Sequence, residues 1–242
     1  MEVRHPHVEK KSFKEYFLEF LMIFLAVTLG FFAENIREHF SNNEMVNQLS
    51  RQVLRELKMD TAYLNAIIES QASQNIAADS LFSILQNPID KIDAITLERL
   101  TDSCFYITAF TPSSGAINSI KNKIDLKQFS STHISDYIND YESDKDWIKN
   151  LETTQVQQIS QILQKFMQQH FSANDLYKLR ILHAKPGGAL RKISADDIED
   201  FRAGIVTIED FNHLLGKAYK HSRESAINFM QYVQKEYNIK DE

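Results

Sequence analysis

The chain has 242 residues, room for one large or two small domains, and its 43% hydrophobic and 25% charged residues exclude wholesale disorder. Only 6 Gly and 4 Pro leave few sharp turns, which argues against an all-β sandwich or barrel. A net charge of −6 counts against nucleic acid as a partner, and a lone cysteine, Cys104, excludes an intrachain disulfide and a cysteine zinc cage.

Residues 1–15 form a polar leader with Arg4, Lys10, Lys11 and Lys14. The segment 16–33 follows, carrying Phe17, Leu18, Phe20, Leu21, Ile23, Phe24, Leu25, Val27, Leu29, Phe31 and Phe32. Phe20 to Ala33 is free of charge but spans only about 21 Å as helix, short of the ~30 Å hydrocarbon slab. Counting from Tyr16 extends it to about 27 Å with Glu19 near one end. Its 11 Leu, Ile, Phe and Val residues contribute on the order of −3 to −7 kcal/mol to insertion, against at most about +3 for one acid. The balance predicts a transmembrane anchor. A buried core helix and a cleaved signal peptide are the competing readings. Apolar character on every face weighs against the first, and a long charged leader against the second.

Arg4, Lys10, Lys11 and Lys14 before the run outnumber Arg37 and Arg51 after it. This bias predicts an amino terminus in the cytoplasm, a single pass through the inner membrane, and a periplasmic body. Ala26, Gly30 and Ala33 give the anchor one small face, a candidate helix–helix contact, although small residues are common in membrane helices generally.

From Glu34 the chain is free of Pro to Pro88 and of Gly to Gly115, so a long helix is expected to continue out of the membrane. Val46, Leu49, Val53, Leu57, Leu64, Ile68 and Ile76 mark its buried stripe, with Arg51 to Arg55 and Glu56 to Asp60 on the solvent side. Asn42-Asn43 is a candidate break. Asn87-Pro88 ends the stretch, a second helix is expected over Thr96 to Phe110, and Thr111-Pro112-Ser113-Ser114-Gly115 punctuates it. Ile117, Ile120 and Ile124 mark a short third helix. A fourth, capped by Ser130 or Ser131, carries Ile134, Ile138, Tyr141, Ile148, Leu151, Ile159, Leu163, Phe166 and His170. After the loop Lys185-Pro186-Gly187-Gly188, Ser194/Asp197 and Thr207/Asp210 resemble capping boxes, and the last helix carries Phe211, Leu214, Leu215, Ala218, Tyr219, Ile227, Met230 and Val233. The expected fold is all-α: an N-terminal transmembrane helix, then a long helix entering a multi-helix bundle, with residues 34–242 as one helical soluble domain.

No residue pattern calls for a metal or cofactor. His5 and His7 sit in the leader, and His133 with Asp136 makes only half a site. His170 and His213 fall on or beside apolar stripes, while His183 and His221 have basic neighbours. Asp196, Asp197, Glu199, Asp200, Glu209 and Asp210 lack the EF-hand spacing and suit helix starts. The Lys185–Gly188 loop is not a phosphate loop, and Ser113-Ser114-Gly115 is not a nucleophile elbow. Cys104 beside Phe105 and Tyr106 reads as a buried thiol, and Trp147 among Asp144, Lys145, Asp146 and Lys149 as a rim residue. No catalytic constellation emerges.

The anchor ending at Glu34-Asn35, the helix Leu49-Ser50-Arg51-Gln52-Val53-Leu54-Arg55-Glu56-Leu57, the step Ser114-Gly115 with Ile117 and Ile120, and Tyr137-Ile138-Asn139-Asp140-Tyr141 occur in that order. Over about residues 13–145 this resembles a family of uncharacterised single-pass membrane proteins common in Bacteroidota, minus the tryptophan that often follows the anchor there. The resemblance implies membrane attachment and a helical domain, and it brings no activity. The expected function is a non-enzymatic, membrane-anchored module that meets the bilayer and a protein partner or another copy of itself. The alternative is an extracytoplasmic ligand-sensing bundle that signals through a partner.

Overall fold

The computed structural model describes residues 12–104, 108–123 and 133–239. The chain divides into two compact units, Met1–Leu49 and Ser50–Glu242. Helix α1, Phe13–Ile84, contributes to both, and the helices α2 (Ala94–Ser103), α3 (Gly115–Lys123), α4 (His133–Ile159), α5 (Lys165–His170), α6 (Ala173–Arg180) and α7 (Ala195–Glu236) belong to the second. A five-residue π turn, Ser160–Gln164, joins α4 to α5. Among the described residues the only β pairing is an isolated bridge between Phe171 and Leu190. The protein is all-α, with a long apolar-started helix feeding a helical bundle.

Expected boundaries hold in some places and shift in others. Asn42-Asn43 does not break α1, because the Asn43 amide reaches His39 Nδ1 one turn back (3.0 Å) and the backbone ladder continues. Ile76 is exposed, and Ile67 rather than the half-buried Ile68 takes the core position after Leu64. The second helix starts where Asp93 accepts from Thr96 N (2.9 Å) and ends at Ser103, well short of Phe110. Ser194 and Asp197 form the expected capping box of α7. Thr207 caps nothing: it sits inside α7, where its hydroxyl donates to Ala203 O (3.1 Å). Ser130, Ser131, Ile124, His5 and His7 lie outside the described residues.

Within Ser50–Glu242, α4 and α7 pack most extensively on each other. One core cluster joins Leu81, Leu85, Leu97, Leu163, Phe166, Phe171, Phe201 and Ile205, and a second joins Leu64, Ile67, Phe110, Ile148, Leu215 and Tyr219. A polar layer falls between them in sequence on all three long helices. Gln71 donates to Asn212 O (3.0 Å), Gln155 donates to Asn212 Oδ1 (2.6 Å), and Asn212 donates to Asn75 Oδ1 (3.2 Å). Buried amides are costly unless paired, so this layer fixes how α1, α4 and α7 slide past one another.

Candidate functional site

The eleven apolar anchor residues, Phe17 to Phe32, all lie on α1 and are exposed, from 37% at Leu21 to 74% at Phe31. None of the apolar window is buried against the rest of the chain, unlike a core helix. This helix, near the amino terminus, is long and apolar enough to cross a membrane. Ala26, Gly30 and Ala33 are likewise exposed, and a Cβ on Gly30 would meet nothing within 4 Å.

In the second unit, the segment Thr108–Gly115 is held by carboxylates. Asp60 accepts from Ser113 N (2.8 Å) and from the Tyr141 hydroxyl (2.7 Å). Glu56 accepts from Ala116 N (2.9 and 3.0 Å), capping the free amides at the start of α3. A Cβ on Gly115 would lie 3.1 Å from Glu56 Oε1, so a larger residue there would push the carboxylate back by a few tenths of an ångström. Glu152 accepts from Phe110 N (2.7 Å) and the Tyr219 hydroxyl (2.8 Å). Burial raises the Glu152 carboxyl above its usual range, and burial with an acceptor carboxylate raises Tyr141 and Tyr219. Asp60 is therefore no solvent-side charge: it is 2% exposed and bonded on both oxygens. These acids act as fasteners.

A second carboxylate fastener holds the Lys185–Ala189 loop. Asp175, at the start of α6, accepts from Gly187 N (2.7 Å) and Ala189 N (2.9 Å), and these amides lower its pKa. Beside it Glu98 is 1% exposed, with no hydrogen-bond partner on either carboxylate oxygen. Burial, then the neighbouring Asp175 charge, pushes Glu98 up to about 7, while the Gly188 amide favours its charged form without completing a bond.

A polar concavity lies beside the π turn. It has a volume of about 300 Å³, a floor of Ile162, Phe166 and Phe201, and walls of Lys165, His170, Asp197 and Asp200. Phe166 and Phe201 stack at 3.6 Å, and Phe166 lies 4.8 Å from the His170 ring. Ile162 can enter because Gly204 faces it; a Cβ there would collide with Ile162 Cγ2. His170 Nδ1 lies 3.1 Å from Lys192 O, which fixes it as donor, and Nε2 is 3.9 Å from Asp197 Oδ1. The Ser194 hydroxyl and amide hold Asp197 below the usual carboxylate range. The cleft offers one cation, two carboxylates and an imidazole nitrogen over an aromatic floor, a set suited to holding a small polar ligand. The nearby Ser160 hydroxyl donates to Gln164 Oε1 (3.1 Å), away from His170.

The remaining sequence candidates scatter. His133 and Asp136 pair at 3.6 Å on an exposed face. His213 is exposed rather than at a core edge, with Nδ1 2.9 Å from Glu209 O, and His221 lies 3.5 Å from Asp144, not in a basic setting. Cys104 is buried, and burial pushes its thiol up to about 12. Trp147 is 43% exposed. Among the described residues no group of three or more His, Cys, Asp or Glu side chains is arranged to hold a metal ion. The chain matches no protein-family description, no curated protein and no solved structure.

Proposed function

We propose that this chain is a membrane-tethered, non-enzymatic helical module whose body presents a protein-interaction surface. The observation that carries the proposal is the wholly unburied apolar window of α1, joined in one chain to a bundle in which the buried acids Asp60, Glu152 and Asp175 each hold a backbone amide of a loop. An apolar helix that its own bundle leaves bare finds its solvent in a bilayer. The excess of Arg4, Lys10, Lys11 and Lys14 supports a cytoplasmic amino terminus and a periplasmic body at the inner membrane. Kinship with the Bacteroidota single-pass family is part of the proposal and rests on the order of sequence motifs from Glu34-Asn35 to Tyr141. Crosslinking of the full-length chain in native membranes is expected to return a specific protein partner or the chain itself, and lipid with background alone overturns the reading. A carboxyl-terminal reporter active only outside the cytoplasm is expected, and inside-only activity overturns the orientation.

The cleft beside the π turn favours a second reading, a ligand-sensing bundle that signals through a partner. Its test is thermal stabilisation by a library of small polar metabolites. A flat response throughout removes it.

A further inference from the structure

We propose that residues 25–46 of α1 pair with the same residues of a second copy of this chain, as a parallel two-stranded coiled coil that runs out of the bilayer. The parallel alignment rests on the membrane-tethered reading above. In the second unit, Val53, Leu57, Asp60, Leu64, Ile67 and Gln71 advance by alternating steps of four and three residues, and all are buried. That strict 3.5-residue register is the one that supercoiled helices use. Counted back through Ser50 and Val46, the same steps reach Asn43, His39, Ile36, Phe32, Leu29 and Leu25, all exposed. The seam continues, therefore, beyond the residues that its own bundle covers.

The chemistry of the faces selects a second copy as the occupant. In heptad letters Leu29, Ile36 and Asn43 fall at a, and Leu25, Phe32 and His39 at d. All four residues of formal charge in 25–46, Glu34, Arg37, Glu38 and Glu44, fall at b, c or f on the opposite face. The flanking e and g positions carry Ala26, Ala33 and Phe40 with Thr28, Asn35 and Asn42, so nothing charged would repel an identical helix. The small Ala26 and Ala33 at e permit close approach within lipid. Ile36 and Phe40 are 56% and 70% exposed just past the apolar run, and with Phe32, Asn35 and His39 they line a groove of about 250 Å³. An Asn at a lone a position meets its own equivalent across a parallel dimer axis and fixes two strands in register. Asn43 has that place, with His39 within hydrogen-bonding distance at 3.0 Å.

The test is single-cysteine crosslinking of the full-length protein in native membranes, with buried Cys104 left in place as the uncrosslinked control. Ile36→Cys, His39→Cys and Asn43→Cys sample the seam, while Arg37→Cys, Glu38→Cys and Ser41→Cys sample the back. All six positions are exposed, so folding of the bundle is not at stake. A disulfide needs Cα atoms within about 7 Å, a separation reached only where identical positions face each other. The expected result is a disulfide-linked dimer at the three seam positions and loss of that band at the three back positions. Membrane-sedimenting protein that crosslinks on neither face, on both equally, or to a different protein overturns the pairing. Seam-specific dimers in protein that stays in the supernatant after ultracentrifugation overturn the tether and leave the pairing standing.

Discussion

Residues 17–33 and 53–67 of α1 are both rich in large apolar side chains, yet the first set is bare while Val53, Leu54, Leu57, Leu64 and Ile67 of the second are buried. The difference lies in the rest of each circumference. Around 53–67 one side is apolar and packed, and Arg55, Lys58 and Asn65 occupy the solvent side; around 20–33 every face is apolar. A stripe needs one packing partner, whereas an all-round apolar helix needs an apolar surround. The two stretches also treat acids differently. Within 20–33 there is none, while at position 60 a carboxylate is taken fully inside because two donors from distant residues meet it.

The largest test of this contrast is to charge the bare stretch. Phe24→Arg combined with Val27→Arg is expected to cost about 5–7 kcal/mol of insertion and to move the protein from the membrane to the supernatant. Circular dichroism of the body should not change. If the protein still sediments with membranes, the bilayer is not what covers residues 17–33. Next, Leu64→Ala is expected to cost about 2–5 kcal/mol in urea unfolding while leaving membrane partition intact. Asp60→Ala leaves Ser113 N and the Tyr141 hydroxyl without their acceptor, and a loss of about 2–3 kcal/mol is expected in the same assay. No loss would show those donors to be solvated.

A smaller effect separates the two fastened loops by pH. Glu98 ionises near 4.5 in the unfolded chain and at about 7 in the bundle, so between these values the folded state holds the extra proton. Stability therefore falls as pH rises from about 4.5 to about 7 and levels off above. Glu98→Gln is expected to flatten that decline, leaving the part due to Glu152 and Glu209, which burial raises in the same direction. Identical slopes in wild type and variant would place the Glu98 carboxyl in water. Smallest of all, Phe31→Ala, off the proposed seam and 74% exposed, should change urea unfolding by less than about 0.5 kcal/mol, in contrast to Leu64→Ala.

Local pattern was enough for the elements that local energetics decide. The stripe from Ile134 to His170 and the Ser194–Asp197 cap were readable from spacing, as was a long helix leaving the anchor, though not its unbroken passage through Asn42-Asn43. Thr207/Asp210 misleads because a capping sequence works only where the backbone leaves the helix, and here the chain has no reason to leave. The fasteners were not readable. Asp60 and Glu152 meet amides 53 and 42 residues away, and an acid on a helix looks solvated until its distant donors are known. Asp175 is closer, 12 residues from Gly187, but its role depends on how the loop folds back over α6. The cleft was hidden for a similar reason: His170 was placed on its stripe, whereas Asp197 and Phe201 come from another helix.

The five-residue turn at Ser160–Gln164 carries one residue more than an ordinary helical turn would. Removing one residue there would restore regular winding, and because the bulge absorbs the extra residue locally, the helix beyond would keep nearly its present heading. Phe166 would still meet Phe201, whereas Gln161, Ile162 and Lys165 would be redrawn around the cavity. A single-codon deletion at this spot should therefore leave the bundle standing and reshape the cleft.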